Sequence, residues 1–198
     1  MRERYGVLFL VSGPSGSGKT TLCRRLADEG EAHYSVSCTT RLPRPGELDG
    51  VDYHFMPKER FVHQINEGGF LEFAEVHGNH YGTLKSEVVA LLEKGLDVVM
   101  DLDVQGARSV RSCKDPMIQH SLVDLFVSPP SQEELRSRLM GRGTDSQEVI
   151  ELRMKNALEE MKFWPEYTYR IVSEGRDTDY LKFKSLLISQ RLKASLLK

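Results

Sequence analysis

The chain has 198 residues, of which 39% are hydrophobic and 28% charged, and its formal net charge is −2. This length suits one domain with a proper core, and the composition is that of an ordinary globular protein. The small net charge gives no electrostatic reason to expect nucleic acid or a membrane surface as the main partner, so any phosphate-binding cations must be clustered locally.

The cysteines indicate a reducing environment. Cys23, Cys38 and Cys113 are odd in number, widely spaced and without metal-ligand spacing, so neither a disulfide framework nor a zinc site is expected. The first apolar run, residues 7–11, is too short for a signal peptide or a membrane span. We therefore expect a cytoplasmic protein whose first apolar run is a buried strand.

Residues 7–21 form the most informative stretch: an apolar run, a glycine-rich turn and the start of an amphipathic helix. Gly13, Gly18, Lys19 and Thr20 have the spacing G-x-x-x-x-G-K-[ST] of a phosphate-binding loop. Glycines let the backbone turn its N–H groups toward an anion, and the helix start adds further donors. Although a chance match in a glycine-rich loop is the alternative, the strand before and the helix after favour nucleoside triphosphate binding.

Further apolar runs alternate with helical patterns along the rest of the chain. Buried strands are predicted at residues 7–11, 96–102, 122–127 and 170–172. Helices are predicted at residues 20–29, 83–94, 104–113, 132–140, 146–161 and 179–197. Strands that alternate with helices predict an α/β domain with a parallel sheet.

Two stretches interrupt this alternation. Residues 35–75 are rich in Arg, Pro, Gly and aromatic residues, and their short alternating runs predict antiparallel strands in a small subdomain. Residues 136–153 contain four arginines and the Gly141-Arg142-Gly143 sequence, which suits a mobile flap. A solvated helical face is the alternative for this second stretch.

Seven segments appear together in an order and spacing that cover nearly the whole chain. They are residues 13–21, 37–47, 52–53, 70–72, 78–83, 101–106 and 142–144. In this combination they resemble the guanylate kinase family. The resemblance implies a P-loop nucleoside-monophosphate kinase fold with a parallel sheet flanked by helices, a mixed α+β GMP-binding subdomain and a helical lid. The implied parts are a core of residues 1–34, 95–134 and 162–198, a GMP-binding subdomain of residues 35–94 and a lid of residues 135–161.

The resemblance also implies the substrates, ATP and GMP, with γ-phosphoryl transfer between them and Mg²⁺ as the cofactor. The residues implied for ATP are Gly13, Pro14, Ser15, Gly16, Ser17, Gly18, Lys19, Thr20 and Thr21. Those implied for GMP are Ser37, Arg41, Arg44, Tyr53, Glu72, Tyr81, Thr83 and Asp103. The residue types agree with a site for the GMP phosphate, because a phosphate group needs cations and hydroxyls around it. The planar guanidinium of arginine can donate two parallel hydrogen bonds to phosphate oxygens.

Glu72 is the residue expected to read the guanine base. A carboxylate can accept from both the guanine N1–H and its 2-amino group, whereas adenine would leave it unpaired. A buried polar group left without a partner can discriminate between bases by orders of magnitude. The alternative, on pattern alone, is that Glu72 belongs to the outward face of an alternating strand.

Asp101 and Asp103 end a predicted strand at the edge where ligands gather in parallel sheets. By resemblance Asp103 faces GMP, while Asp101, with Thr20, holds Mg²⁺ directly or through water. A helix cap remains the alternative for one of the two aspartates.

The expected mechanism needs no general base, because the attacking phosphate oxygen is already ionised near neutral pH. Catalysis then consists of alignment and charge stabilisation. By resemblance the catalytic residues are Lys19, Arg44 and the lid arginines Arg142 and Arg153.

Other interpretations stay open at this point. A kinase-like scaffold that binds peptides would be expected to lose the loop lysine, and another small-molecule kinase would lose the guanine-reading set. Ser173-Glu174 stands where the family usually has Asn-Asp, in a segment associated with the adenine pocket. The sequence leaves open whether the chain is a monomer or a homo-oligomer.

Overall fold

The computed structural model describes residues 4–141 and 146–198. The strands are β1 (Leu8–Ser12), β2 (His33–Tyr34), β3 (Cys38–Thr39), β4 (His54–Phe55), β5 (Phe70–Val76), β6 (Asn79–Leu84), β7 (Val98–Asp101), β8 (Leu122–Ser128) and β9 (Tyr169–Val172). The helices are α1 (Lys19–Asp28), α2 (Lys58–Asn66), α3 (Lys85–Glu93), α4 (Val104–Ser112), α5 (Pro116–Ser121), α6 (Gln132–Met140), α7 (Gln147–Met161) and α8 (Arg176–Arg191).

The main sheet has five parallel strands in the order β2-β7-β1-β8-β9. Every residue of the central strand β1 is buried, because helices cover both faces of the sheet. This explains why β1 is a continuous apolar run rather than an alternating one. The predicted α/β class with a parallel sheet is confirmed, and the phosphate loop lies at the carboxyl end of the central strand, between β7 and β8.

Alternate residues of β1 supply two hydrophobic cores, one on each face of the sheet. On one face Phe9 packs against Phe183 of α8, with ring centroids 5.4 Å apart in an edge-to-face arrangement. On the other face Leu10 packs with Phe126 and with Leu92 of α3. The central strand is therefore held rigidly from both sides.

A second sheet of four short strands, in the order β4-β3-β6-β5, contains residues of the predicted subdomain. β6 is antiparallel to β3 and to β5, as expected, but β3 and β4 are parallel. The prediction of antiparallel strands was wrong for this pair, because alternation marks a strand without giving its direction. Helix α2 was not predicted, since its buried face consists mainly of Phe61, which stacks on Phe70 at 4.3 Å.

Helices α6 and α7 form a pair with a small core of their own. Leu135 and Leu139 of α6 pack against Met154 and Ala157 of α7. On the outside of the pair, Arg136 donates two hydrogen bonds to Glu151 at 2.7 and 3.0 Å. The predicted lid range thus contains two mutually packed helices within the described residues.

Three predicted helix boundaries differ from the structure by two residues or more. Thr83 belongs to β6, so the helix predicted from residue 83 begins at Lys85. The last helix begins at Arg176 and ends at Arg191, and a short 3-10 turn, Ala194–Leu196, follows it. Helix α5 was missed, because it is a single short segment with a proline in its first turn.

Asp97 joins the start of the chain to its last helix. Its buried carboxylate accepts hydrogen bonds from Arg4, from the Val7 backbone N–H and from Arg191, at 2.7 to 2.9 Å. Burial alone would raise the pKa of Asp97, but these donors lower it below its ordinary value. The ionised form is therefore stabilised inside the fold.

No helix within residues 4–141 and 146–198 combines the length and the apolar character that crossing a bilayer requires.

Candidate active site

The phosphate loop links β1 to α1 through backbone conformations that favour glycine. Gly13 has φ 148° and Gly18, at the N-terminus of α1, has φ 96°. A Cβ on Gly13 would lie 2.2 Å from the Val127 carbonyl oxygen, so this turn has no room for a side chain. The loop therefore has the tight backbone curvature that a cradle for a phosphate needs.

Lys19, Thr20 and Asp101 meet beside this cradle. The Thr20 hydroxyl donates a hydrogen bond to Asp101, and Lys19 Nζ lies 3.9 Å from the same carboxylate. Burial raises the pKa of Asp101, while the Lys19 charge and the Thr20 hydrogen bond oppose that shift. A hydroxyl and a carboxylate oxygen side by side fit the hard oxygen ligands that Mg²⁺ takes alongside substrate phosphates.

Asp101 and Asp103 have different structural roles. Asp103 caps α4, since its carboxylate accepts a 2.7 Å hydrogen bond from the Gly106 backbone N–H. The capping alternative is thus confirmed for Asp103. Its charge also contributes to raising the pKa of Glu72, so its carboxylate is close enough to act on that side of the site.

Glu72, Thr83 and Ser37 form a connected polar group on the small sheet. Thr83 Oγ1 donates to Glu72 Oε1 at 2.8 Å, and Ser37 Oγ lies 3.4 Å from the same Thr83 oxygen. Burial raises the pKa of Glu72, which the Thr83 hydrogen bond opposes. The structure thus brings together three residues that are widely separated in the sequence, in a set able to accept from donors on a flat base.

Arg41, Tyr53 and Tyr81 form a second group. The Arg41 guanidinium carbon lies 5.4 Å from the Tyr53 ring centroid, and the two tyrosine rings are 5.9 Å apart. Glu47, which was not assigned a role from the sequence, holds the Arg41 fork through two hydrogen bonds of 2.9 Å. Arg44 is exposed on the same loop, and its backbone N–H donates to Glu47.

A cavity of about 160 Å³, here called the acceptor pocket, lies between the main sheet and the small sheet. Ser37, Tyr53 and Thr83 line it from the small sheet and its loops, and Arg24 and Asp101 line it from the core. Asp101 therefore borders the acceptor pocket while it also contacts the phosphate-loop residue Thr20.

A second cavity of about 510 Å³, here called the donor cleft, opens beside the phosphate loop. Its walls include Gly16 and Thr21 from the loop and α1, Arg138 from α6, and Ser173 and Asp179 near the start of α8. The cleft is large enough for a nucleoside adjoining the phosphate cradle.

Arg138 was counted from the sequence as one of four flap arginines but was not assigned to the site. It reaches the Ser17 carbonyl of the phosphate loop at 3.5 Å and the Ser173 hydroxyl at 3.2 Å. No local pattern distinguishes it from Arg136, two residues earlier, which binds Glu151 instead.

The structure describes one of the two predicted lid arginines. Arg153 lies half-buried on α7. Arg142 lies outside the described residues.

Comparison with known proteins agrees with this geometry. The family model described as guanylate kinase matches residues 5–190. The chain is 48% identical to the guanylate kinase of Alkalilimnicola ehrlichii over 187 residues, which cover 94% of this chain and 90% of that protein. It is 44% identical to the guanylate kinase of Zymomonas mobilis over 191 residues, covering 96% and 87% of the two chains.

A solved structure gives the same result. The crystal structure of guanylate kinase from Anaplasma phagocytophilum matches with a TM-score of 0.74 and 30% identity, covering 98% of this chain and 90% of that one. The chain therefore belongs to the guanylate kinase family.

Proposed function

We propose that the chain catalyses the Mg²⁺-dependent transfer of the γ-phosphoryl group of ATP to GMP, giving ADP and GDP, and that dGMP also serves as the acceptor. One observation carries the proposal: Asp101 contacts Thr20 of the phosphate loop and also borders the acceptor pocket. A donor phosphate in the loop and an acceptor phosphate in the pocket would therefore approach the same carboxylate.

Base selection is assigned to Glu72, Thr83 and Ser37. The Glu72 carboxylate would accept from the N1–H and 2-amino groups of guanine, and its hydrogen bond from Thr83 holds it in place. Neither of these contacts involves the ribose 2′-hydroxyl, which is why dGMP is included as an acceptor.

The acceptor phosphate is assigned to Arg41, Tyr53 and Tyr81, with Arg44 from the same loop. The Arg41 guanidinium and the Tyr81 ring each lie beside the Tyr53 ring. Glu47 orients the Arg41 guanidinium. Arginine binds phosphate bidentately, and tyrosine hydroxyls donate to the remaining oxygens. Asp103 would approach the guanine side, where its charge already acts on Glu72.

The chemical step would depend on alignment and charge. The phosphate loop, residues 13–21, would bind the ATP phosphates through its N–H groups, and Lys19 would neutralise the β- and γ-oxygens. Thr20 and Asp101 would hold Mg²⁺, which supplies charge neutralisation on the phosphates when bound. Arg44, Arg142 and Arg153 would stabilise the negative charge of the transferring group.

The helix pair α6–α7 would exclude water when it closes. Its own packed core lets it move as a unit, and water exclusion prevents hydrolysis of ATP in the absence of the acceptor.

Turnover with a panel of acceptors tests the proposal. With ATP and Mg²⁺, we expect rapid ADP formation with GMP and dGMP and little with AMP or UMP. A preference for AMP or UMP would contradict the guanine assignment to Glu72. No turnover with any acceptor would instead favour a binding scaffold that retains the family's fold.

A further inference from the structure

The base of the α6–α7 pair packs directly against the tip of the phosphate loop. A Cβ on Gly16 would lie 3.2 Å from a methyl carbon of Leu135 and 3.2 Å from one of Leu139, so the loop backbone touches α6 with no side chain between them. Next to this contact, Arg138 Nη1 of the same helix reaches the Ser17 carbonyl at 3.5 Å. The helix pair is therefore in contact with the loop that would bind the ATP phosphates.

Glu160 adds a polar contact from α7 to the same loop. Its half-buried carboxylate accepts a hydrogen bond from the Ser15 backbone N–H, and the charges of Lys19 and Asp103 both act on it. Burial raises the pKa of this carboxyl and the Asp103 charge adds to the increase, while the Lys19 charge and the Ser15 N–H oppose it. Three successive residues of the loop, 15–17, are thus contacted by the helix pair.

The adjacent Glu159 has a different environment although it is the same residue type. Its side chain is exposed, and its carboxylate accepts two hydrogen bonds from Lys162, at 2.6 and 2.8 Å. Successive side chains of an α-helix point about 100° apart, which turns Glu159 away from the loop that Glu160 contacts. The two neighbours therefore form a matched pair, of which one member contacts the loop.

The helix register connects Glu160 with the predicted lid arginine Arg153. The two residues are seven positions apart, which is close to two full turns, so they share one face of α7 about 10 Å apart along its axis. Ala157 lies between them on this face and is buried in the core that α7 shares with α6. A contact that holds Glu160 against the loop therefore also fixes the side of α7 from which Arg153 projects.

We propose that Glu160 is a positioning residue for phosphoryl transfer, which holds the Arg153 face of α7 toward the phosphate loop through the Ser15 N–H. This inference rests on the proposed function, in which Arg153 stabilises the charge of the transferring group, and it adds a residue that acts through Arg153. A carboxylate suits this role, because hydrogen bonds to a charged acceptor are about twice as strong as neutral ones. Displacing a catalytic group by about 1 Å can lower the rate by about 10²-fold.

Steady-state kinetics of Glu160→Ala test the inference. We expect kcat to fall by about 10- to 100-fold with ATP and GMP saturating, while KM for GMP stays unchanged. Glu159→Ala is the matched control and should keep the wild-type kcat. A wild-type kcat in Glu160→Ala beside a large loss in Arg153→Ala would overturn the inference and leave the proposed function intact. Absence of turnover in the wild type would instead contradict the proposed reaction.

A double-mutant cycle separates positioning from an independent effect. If Glu160 acts through Arg153, the variant with both residues replaced by alanine should have the same kcat as Arg153→Ala alone. Losses that multiply would show that the two residues act independently, and would overturn the inference. A wild-type kcat in Arg153→Ala would overturn both the inference and the proposed role of this arginine.

The conservative variant Glu160→Gln keeps the side-chain length and one acceptor oxygen for the Ser15 N–H. It should therefore recover most of the kcat that Glu160→Ala loses. A Glu160→Gln variant as slow as Glu160→Ala would mean that the negative charge matters in itself, and would overturn the positioning role.

Hydrogen exchange of the Ser15 amide tests the contact without turnover. In the nucleotide-free protein, Glu160→Ala should speed this exchange by about tenfold or more, because the amide loses a charged acceptor. Glu159→Ala should leave the exchange rate unchanged. Equal exchange rates in Glu160→Ala and the wild type would overturn the inference.

Discussion

Glu72 and Thr83 are paired across the β5–β6 ladder, and the Thr83 hydroxyl donates to the Glu72 carboxylate at 2.8 Å. The register of β5 shifts between Phe70 and Glu72, so one extra residue of β5 is accommodated at this point. Such bulges re-aim side chains next to functional sites. The irregularity thus sets which residue of β5 faces Thr83.

Replacing this carboxylate should remove guanine selection. In Glu72→Gln the amide NH₂ would oppose the 2-amino group of guanine, so kcat/KM for GMP should fall by about 10²- to 10³-fold, while KM for ATP stays unchanged. Steady-state kinetics with each substrate varied in turn measure both values. Thr83→Val is the control, with a smaller loss expected because the carboxylate remains. A kcat/KM for GMP within threefold of wild type in Glu72→Gln would contradict the assignment.

The same carboxylate should give GMP recognition a pH dependence. Burial raises the pKa of Glu72 above the ordinary value of 4.5, and guanine needs the ionised form. The kcat/KM for GMP should therefore rise as the pH increases through this raised pKa and fall on acidification. Dividing wild-type values by those of Glu72→Gln cancels the titration of the GMP phosphate. A ratio that stays flat from about pH 4.5 to 8 would contradict the prediction.

Loss of the loop lysine should affect the chemical step most strongly. Lys19→Ala removes the cation next to the phosphate cradle, so kcat should fall by about 10³-fold or more with GMP saturating. Lys58→Ala, at the start of α2, is a surface control and should retain wild-type turnover. Thermal unfolding of both variants checks that the fold is intact. Retention of most of the activity by Lys19→Ala would contradict the phosphate-loop assignment.

Asp97 should be important for stability rather than for catalysis. Asp97→Ala leaves Arg4 and Arg191 without their shared buried partner, and we expect a loss of about 3 to 5 kcal/mol in the free energy of unfolding. Urea denaturation measures this loss. Glu31→Gln, which removes the half-buried partner of Arg191, should cost less than about 1 kcal/mol. Equal effects of the two substitutions would contradict the role of Asp97.

Asp97 should also make the free energy of unfolding depend on pH, because its pKa is lowered in the folded chain. Its contribution to stability should be complete above the ordinary aspartate pKa of about 3.9 and should be lost as the pH falls through the folded value. The difference in unfolding free energy between wild type and Asp97→Asn should therefore shrink on acidification. A difference that grows on acidification would contradict this assignment.

Local signals in the sequence predicted the features that depend on a few neighbouring residues. The phosphate loop needs glycines at fixed offsets, and the buried strands appear as apolar runs, so β1 and β8 were located to within one residue at each end. The pattern predicts a helix cap as the alternative for one of Asp101 and Asp103, and in the structure Asp103 is that cap.

Features that depend on distant partners were not predictable in this way. Arg138 and Arg136 occupy the same helix and have the same residue type, yet one contacts the phosphate loop and the other contacts α7. The parallel pairing of β3 with β4 depends on the path of the long loop between them. In each case the outcome is decided by packing between segments, which a one-dimensional pattern does not contain.

The position of α3 limits where the small sheet can pivot. Val88 and Leu92 of this helix are buried in the core of the main sheet, although α3 follows β6 directly in the chain. A rotation of the small sheet toward the phosphate loop would therefore need its hinge at the junction of residues 84 and 85 and not at the far end of the helix. Stiffening this junction should therefore restrict any such rotation without altering either binding surface.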